Sequence, residues 1–212
     1  MAFTAETAGI YRITHIDNVE WDLKNGLQCR NSSLENPNFH NIGNLDLIDK
    51  RKNVIVPIHP GGTLSDYVPF YFTSRSPMLY NIKTGYNGIA MVPMKDIVIY
   101  VASLRSLHAE GVKFVFTDQH AKLVTAEYFD NLDDLHRIDW DILANSDFQY
   151  DPAYPQKKDR YQAEALIHHE LPCRSLRAVV CYNGAAKSRV EAAVARYKLD
   201  IPVMAKPSMF FG

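Results

Sequence analysis

The sequence predicts a single-domain α+β or mixed α/β fold, built on curved or paired sheets rather than on a doubly wound one. Three observations predict it. A chain of 212 residues, 47% hydrophobic and 11% aromatic, suffices for one well-buried core and is too short for two comfortable ones. Segments that read as strands outnumber those that read as helices. The two kinds are also not strictly interleaved, as a doubly wound sheet would require.

The elements follow in order. YRITHI (11–16) alternates like a strand, and DNVEWDLKNG reads as a short helix that Asp17 caps, Glu20 completes as a capping box and Gly26 ends. Residues 31–53 are polar and rich in Asn, Pro and Ser up to NIGN, after which LDLIDKRK offers at most two helical turns. Such a segment inside a compact domain reads as a binding loop, with a linker as the alternative. VIVP and VPFYF read as two strands around the turn GGTLSD, with Pro57 and Pro69 near strand ends, where a missing N–H is tolerated. DIVIYV (96–101) and KFVFTD (113–118) are clearer strands, being β-branched and bounded, and SLRSLHAEG between them fits a capped helix. In LDDLHRIDWDIL, Leu132, Leu135, Ile138, Ile142 and Leu143 fall at helical spacing, which leaves the aspartates on a solvated face. YQAEALI and LRAVVCY are strands, AAKSRVEAAVARY is a helix, and IPVMA is a closing strand.

Composition excludes several classes. A formal net charge of −1 rules out the globally basic footprint of a histone-like binder. Charge is nonetheless segregated: aspartates crowd residues 130–151 around Arg137, while Lys50, Arg51 and Lys52, and then Lys157, Lys158 and Arg160, form basic islands. Cys29, Cys173 and Cys181 include no CxxC pair, and MAFTAETAGIYR shows no secretory segment, so a cytosolic location is expected. No apolar run approaches the roughly 20 residues that span a bilayer, and a soluble protein is expected. There is no HExxH, no Cys/His pairing at zinc spacing, no Walker A sequence and no GxGxxG. No metal is therefore expected, and any nucleotide binds outside a Rossmann or P-loop frame.

Glu164 is the strongest candidate for chemistry. On a strand, Gln162 and Glu164 share one face; the alternative is the solvent face of an edge strand, against which Leu166 on the same face argues. Tyr71 lies in an aromatic run, YVPFYF, most of which reads as core; Arg75 and Met78 follow directly and suit a stacked base and a phosphate. His120 ends FTDQHA, where a satisfied strand-end histidine is the plain alternative, and Arg51 within KRK would by default be a solvated cation.

Taken together, YRITHIDN, NIGN, GGTLSDYVPFYFTSRSPML, FVFTDQHA and RYQAEALI resemble the DarT family of DNA-modifying ADP-ribosyltransferase toxins, in order from about residue 10 to MFFG. The resemblance implies an ADP-ribosyltransferase fold with a split, curved sheet. It also implies NAD as donor, a thymine in single-stranded DNA as acceptor, blocked replication as the outcome, and a cognate macrodomain antitoxin that removes ADP-ribose. By resemblance, Glu164 falls on the catalytic glutamate, Arg51 on the arginine that assists acceptor deprotonation, and Tyr71, Met78 and His120 on further active-site positions. Arg12, Ile13, Thr14, Trp21 and Cys29 fall on or near NAD contacts. Residues 36–53 resemble the loop that covers NAD, and residues 120–164 the substrate-recognising loop. Lys157, Lys158, Arg160 and Arg75 are then expected to meet phosphate, and Gln162 the reacting partners. The competing readings are an ADP-ribosyltransferase acting on guanine, RNA or protein, and a non-catalytic module that binds single-stranded nucleic acid.

Overall fold

The structure, a computed structural model, describes residues 4–212 apart from the side chain of Asn87. The first three residues of MAFTAETAGIYR, read above as carrying no secretory segment, lie outside the described residues. The strands are β1 Gly9–His15, β2 Leu27–Gln28, β3 Tyr67–Tyr71, β4 Ile97–Ser103, β5 Phe114–Thr117, β6 Tyr128–Phe129, β7 Glu164–His168, β8 Glu170–Leu171, β9 Ala178–Cys181 and β10 Val203–Ala205. The helices are α1 Val19–Asn25, α2 Leu45–Arg51, α3 Pro77–Thr84, α4 Leu104–Ala109, α5 Trp140–Ala144, α6 Lys157–Arg160 and α7 Gly184–Arg196. Eight strands form one mixed sheet in the order β10-β9-β4-β1-β3-β7-β5-β6, and β2 pairs with β8 apart from it. The mixed α/β expectation is met.

The sheet is nearly split in the middle. β1 pairs with β4 along its whole length, from Gly9↔Ser103 to His15↔Ile97, but meets β3 only at Tyr11↔Tyr71. Pro69 gives the reason. It sits in mid-strand, opposite Leu166 of β7, rather than near a strand end as expected. Its carbonyl accepts from Arg12 Nη1 at 3.0 Å, so its nitrogen faces β1 too, where the missing N–H removes a ladder bond. The two half-sheets therefore diverge beside β3.

The strand faces explain the core. In β7, Ala165 and Ile167 join the main cluster with Phe70 and Phe116, while Leu166 packs on the opposite face with Val56, Leu64, Tyr67 and Val115. β4 alternates likewise: Val98, Tyr100 and Ala102 face the main cluster, and Ile97, Ile99 and Val101 face the second.

Several local expectations are corrected. Asp17 does not cap α1: a 3₁₀ turn, Ile16–Asn18, precedes the helix, and the Asp17 carboxylate accepts from Arg189 at 2.7 Å. Glu20 pairs with Arg196 instead of closing a capping box. Gly26 does end α1, with φ +81°. VIVP forms only an isolated bridge, Ile55↔Thr63. The periodic stretch 132–143 breaks into a 3₁₀ helix, Leu132–Arg137, and α5, because Asp139 leaves the helix to cap α5 through Ile142 N at 3.3 Å. Among the described residues no helix is long and apolar enough to cross a membrane.

Candidate active site

Glu164 opens β7, directly opposite Tyr71 of β3, and is 1% exposed. A buried carboxylate must be paired and fully hydrogen-bonded, and here every oxygen has a partner. Oε2 accepts from Arg51 Nη1 at 2.8 Å. Oε1 meets His120 Nδ1 at 2.7 Å and accepts from the Ala121 backbone N–H at 3.1 Å. Burial alone would raise the Glu164 pKa, but the charge of Arg51 and the hydrogen bond from His120 bring it down to about 2. Glu164 is thus an acceptor-only carboxylate at neutral pH, and His120 must carry its proton on Nδ1.

Two separate segments converge on that carboxylate, the end of α2 and the stretch that follows β5. Arg51 is the last residue of α2, whose start Asn44 caps by accepting from Leu47 N at 3.1 Å. His120 follows β5 and ties the two ends of the long excursion between β5 and β7, its N–H donating to Asp159 O at 3.0 Å. Thr117, at the end of β5, accepts the Glu164 N–H on Oγ1 at 3.2 Å.

In front of Glu164 a pocket of about 400 Å³ opens where the half-sheets diverge, a size suited to a nucleotide-containing ligand. Arg12, Ile13, Thr14, Trp21 and Cys29, expected to contact NAD, line it. So do Arg51, Tyr71, Met78 and Glu164. His120 stands outside the lining and braces Glu164. The segment between β2 and α2 supplies Leu34 and Phe39, and the first residue of α2 supplies Leu45, to the same wall. Burial, reinforced by the negative charge of Glu164, raises the Tyr71 pKa, so its phenol stays neutral. Among the described residues, Arg51 Nη2 is the one buried side-chain nitrogen or oxygen without a hydrogen-bond partner. With that free donor, two guanidiniums and the aromatic wall, the residues present fit NAD.

The root of residues 36–53 is fastened to β1 and α1. Asn18 is fully buried; it accepts the His40 N–H at 2.8 Å and donates to His40 O at 2.9 Å. The His40 ring stacks on His15 with centroids 3.7 Å apart and planes 9° apart. His15, Asp17 and His40 are close enough to suggest a metal site, but parallel stacked rings cannot both direct an in-plane lone pair at one ion.

Other expected residues are not brought to the pocket. Gln162 is not on β7: it lies in the turn after α6 and its Nε2 donates to Lys158 O at 3.1 Å, so it shares no face with Glu164. Lys157 is buried and paired with Asp147 at 2.9 Å and Asp151 at 3.5 Å. Arg160 pairs with Asp118 at 3.2 Å and donates to Arg137 O at 2.9 Å. Only Lys158 of that island is exposed with no ion pair among the described residues. Asp147 and Asp151, at the end of the acidic stretch, and Asp118 thus neutralise much of the basic island and hold the excursion together. Arg75 points to the C-terminal segment, donating to Ser208 O at 2.8 Å.

Sequence reasoning missed Asp22, which lines the pocket, and the Ala121 N–H and Pro69 carbonyl. The last two are backbone groups and leave no residue-type signal.

A split sheet with an ionised glutamate at the cleft, bridged to an arginine beside a nucleotide-sized pocket, fits the NAD-dependent ADP-ribosyltransferase class that the resemblance implies. Residues 11–211 match the family described as ssDNA thymidine ADP-ribosyltransferase, DarT, and the chain belongs to that family. A DNA ADP-ribosyl transferase of Escherichia coli O127:H6 is 45% identical over 206 residues, covering 97% of this chain and 94% of that relative. Thermus sp. 2.9 DarT in complex with ADP-ribosylated ssDNA superposes with a TM-score of 0.90 at 30% identity, covering 100% of this chain and 99% of that one. The same protein in complex with NAD+ gives 0.83 at 31% identity, covering 97% and 98%. A Thermosipho africanus fusion of a DNA ADP-ribosyl transferase with a DNA ADP-ribosyl glycohydrolase is 23% identical over 95% of this chain and 49% of the fusion.

Proposed function

We infer that this protein transfers the ADP-ribose unit of NAD to a thymine base of single-stranded DNA and releases nicotinamide. The observation that carries the reading is the Arg51–Glu164–His120 cluster at the mouth of the split sheet, in a chain of the DarT family. NAD supplies the ADP-ribose group and a glycosidic bond whose cleavage leaves positive charge on the ribose. The Glu164 carboxylate, held rigid by three donors, places a fixed negative charge where that charge develops. Arg51 has donors to spare: Nη1 holds Glu164, while Nη2 has no protein partner. Thymine N3 is a poor nucleophile until it loses its proton, and a guanidinium is too weak an acid to serve as general base. Arg51 therefore acts by stabilising the anionic imide, the N3 proton passing to solvent water as the base ionises, before N3 forms its bond to the ribose carbon that nicotinamide leaves.

Residues 36–53, fastened at His40, form the segment that covers NAD, and residues 120–164 form the substrate-recognising excursion braced by Lys157 and Arg160. Lys158, Arg75 and the backbone of this excursion are the DNA contacts we retain. The fusion of a transferase with a DNA ADP-ribosyl glycohydrolase in a relative supports a separate macrodomain antitoxin that removes the modification. A toxin acting on DNA that its partner reverses belongs in the bacterial cytoplasm, where it would block replication.

Thymine N3 lies on the Watson–Crick edge, so a duplex conceals it and exposing it by base flipping costs a few kcal/mol. Labelled NAD is expected to mark a thymidine-containing oligonucleotide when single-stranded and to mark it poorly once annealed, with RNA of the same sequence a weak substitute. Equal labelling of the single and paired strands would refute the reading and indicate an acceptor atom exposed in a groove.

A further inference from the structure

The pocket holds a second buried carboxylate that the chemistry above does not use. Asp22, on α1, is 7% exposed. Its Oδ2 accepts the hydroxyl of Tyr100 at 2.8 Å, and the Cys173 thiol donates to its backbone carbonyl at 3.1 Å. Tyr100 of β4 is the registered neighbour of Arg12 on β1, so both side chains rise from the same face of the sheet toward α1, and Arg12 and Asp22 both line the pocket. We propose that Asp22, clamped by Tyr100, is the positioning residue for Arg12, supplying the counter-charge that keeps its guanidinium turned to NAD.

Charge balance supports this assignment. The pocket carries two guanidiniums that repel each other, Arg12 and Arg51. Arg51 has Glu164 as its direct partner. Arg12 spends one nitrogen on Pro69 O, burial works against its charged form, and the negative charge of Asp22 is the chief influence sustaining it. The two carboxylates are not equivalent, however. Burial raises the Asp22 pKa to about 6, against the opposing influence of the Tyr100 hydrogen bond and of Arg12. The carboxylate is therefore charged above about pH 6 and neutral below it. The groups that face it are Tyr100 from β4, Arg12 from β1 and the Cys173 thiol from the 3₁₀ turn Cys173–Ser175, which burial and the charge of Asp22 keep protonated, with Arg51 and Tyr71 acting in turn on Arg12.

The inference rests on the pocket being the NAD site, and direct binding of NAD without DNA separates the two claims. Wild-type protein that binds no NAD at any pH would defeat the site reading itself. Given wild-type binding, Kd is expected to rise as pH falls from about 8 to about 5. Asp22→Asn keeps an acceptor for Tyr100 and should fold; its Kd at pH 8 is expected to be about tenfold weaker, the scale of one lost positioning contact. That value should match the acid plateau of wild type and vary less with pH. Tyr100→Phe removes the donor that favours the charged carboxylate, so the inflection in Kd should move to higher pH; this variant decides the matter if Asp22→Asn unfolds. The proposal is overturned if Asp22→Asn binds NAD as wild type does at pH 8, or if Tyr100→Phe leaves the inflection in place.

Discussion

Glu164→Gln is expected to lower transfer of ADP-ribose to DNA by on the order of a thousandfold, while NAD affinity changes only a few fold. The carboxylate acts on charge that develops as the glycosidic bond breaks, so its removal falls on kcat rather than on ground-state binding. Glutamine is the informative replacement. It keeps the shape of the side chain and can still accept from part of the donor set of Arg51, His120 and Ala121. Alanine would strand a largely buried guanidinium without its partner, a loss worth about 3–5 kcal/mol in comparable buried pairs, and would confuse catalysis with folding. Single-turnover transfer, NAD binding and thermal melting measured on one preparation separate these effects. Transfer within tenfold of wild type would remove Glu164 from the chemistry.

Arg51→Ala is expected to be as damaging and to differ in kind. Arg51 is the main influence that holds the Glu164 pKa near 2 against burial. Without it, the buried carboxyl shifts upward toward protonation, so the variant should lose both NAD affinity and kcat, about a hundredfold or more in kcat/KM. A carboxylate whose folded pKa is depressed contributes stability that is present above its unfolded value and lost as pH falls through the folded one. The variant, lacking that depression, should be less stable than wild type at neutral pH and should lose less further stability as pH falls from about 4.5 to about 2. Arg51→Lys should recover little, because an ammonium restores charge but not a planar fork that holds Glu164 while keeping a second nitrogen free. Full activity in Arg51→Lys would show that charge alone suffices. The readouts are steady-state kinetics in NAD and acid unfolding followed by circular dichroism.

The sequence made some parts of this structure readable for specific reasons. DIVIYV and KFVFTD are β-branched runs bounded by breakers, and both are strands, β4 and β5. Gly26 ended a helix because it alone accepts a positive φ at little cost. Glu164, Arg51 and His120 were marked by the motifs around them, and the fold brings all three within hydrogen-bonding distance. What escaped the sequence was pairing at a distance. Lys157 and Arg160 looked like phosphate ligands, but Asp147, Asp151 and Asp118 neutralise them across loops. Gln162 looked like a partner of Glu164 because YQAEALI reads as one strand; the turn after α6 ends only at Ala163, which puts Gln162 outside the alternation. Asp22 lay unremarked within the short helix DNVEWDLKNG, and only the neighbouring strand shows that it is buried over Tyr100. Pro69 was placed near a strand end by rule; its mid-strand position is what allows the sheet to open.

The acceptor atom proposed for ADP-ribose transfer from NAD is N3 of thymine. The most direct test is incorporation of labelled ADP-ribose into a single-stranded oligonucleotide with one thymidine, compared with the same strand methylated at N3 of that base. The wild-type protein is expected to label the first and leave the second unlabelled, whereas equal labelling of both would contradict the assignment of the acceptor atom and the role given to Arg51.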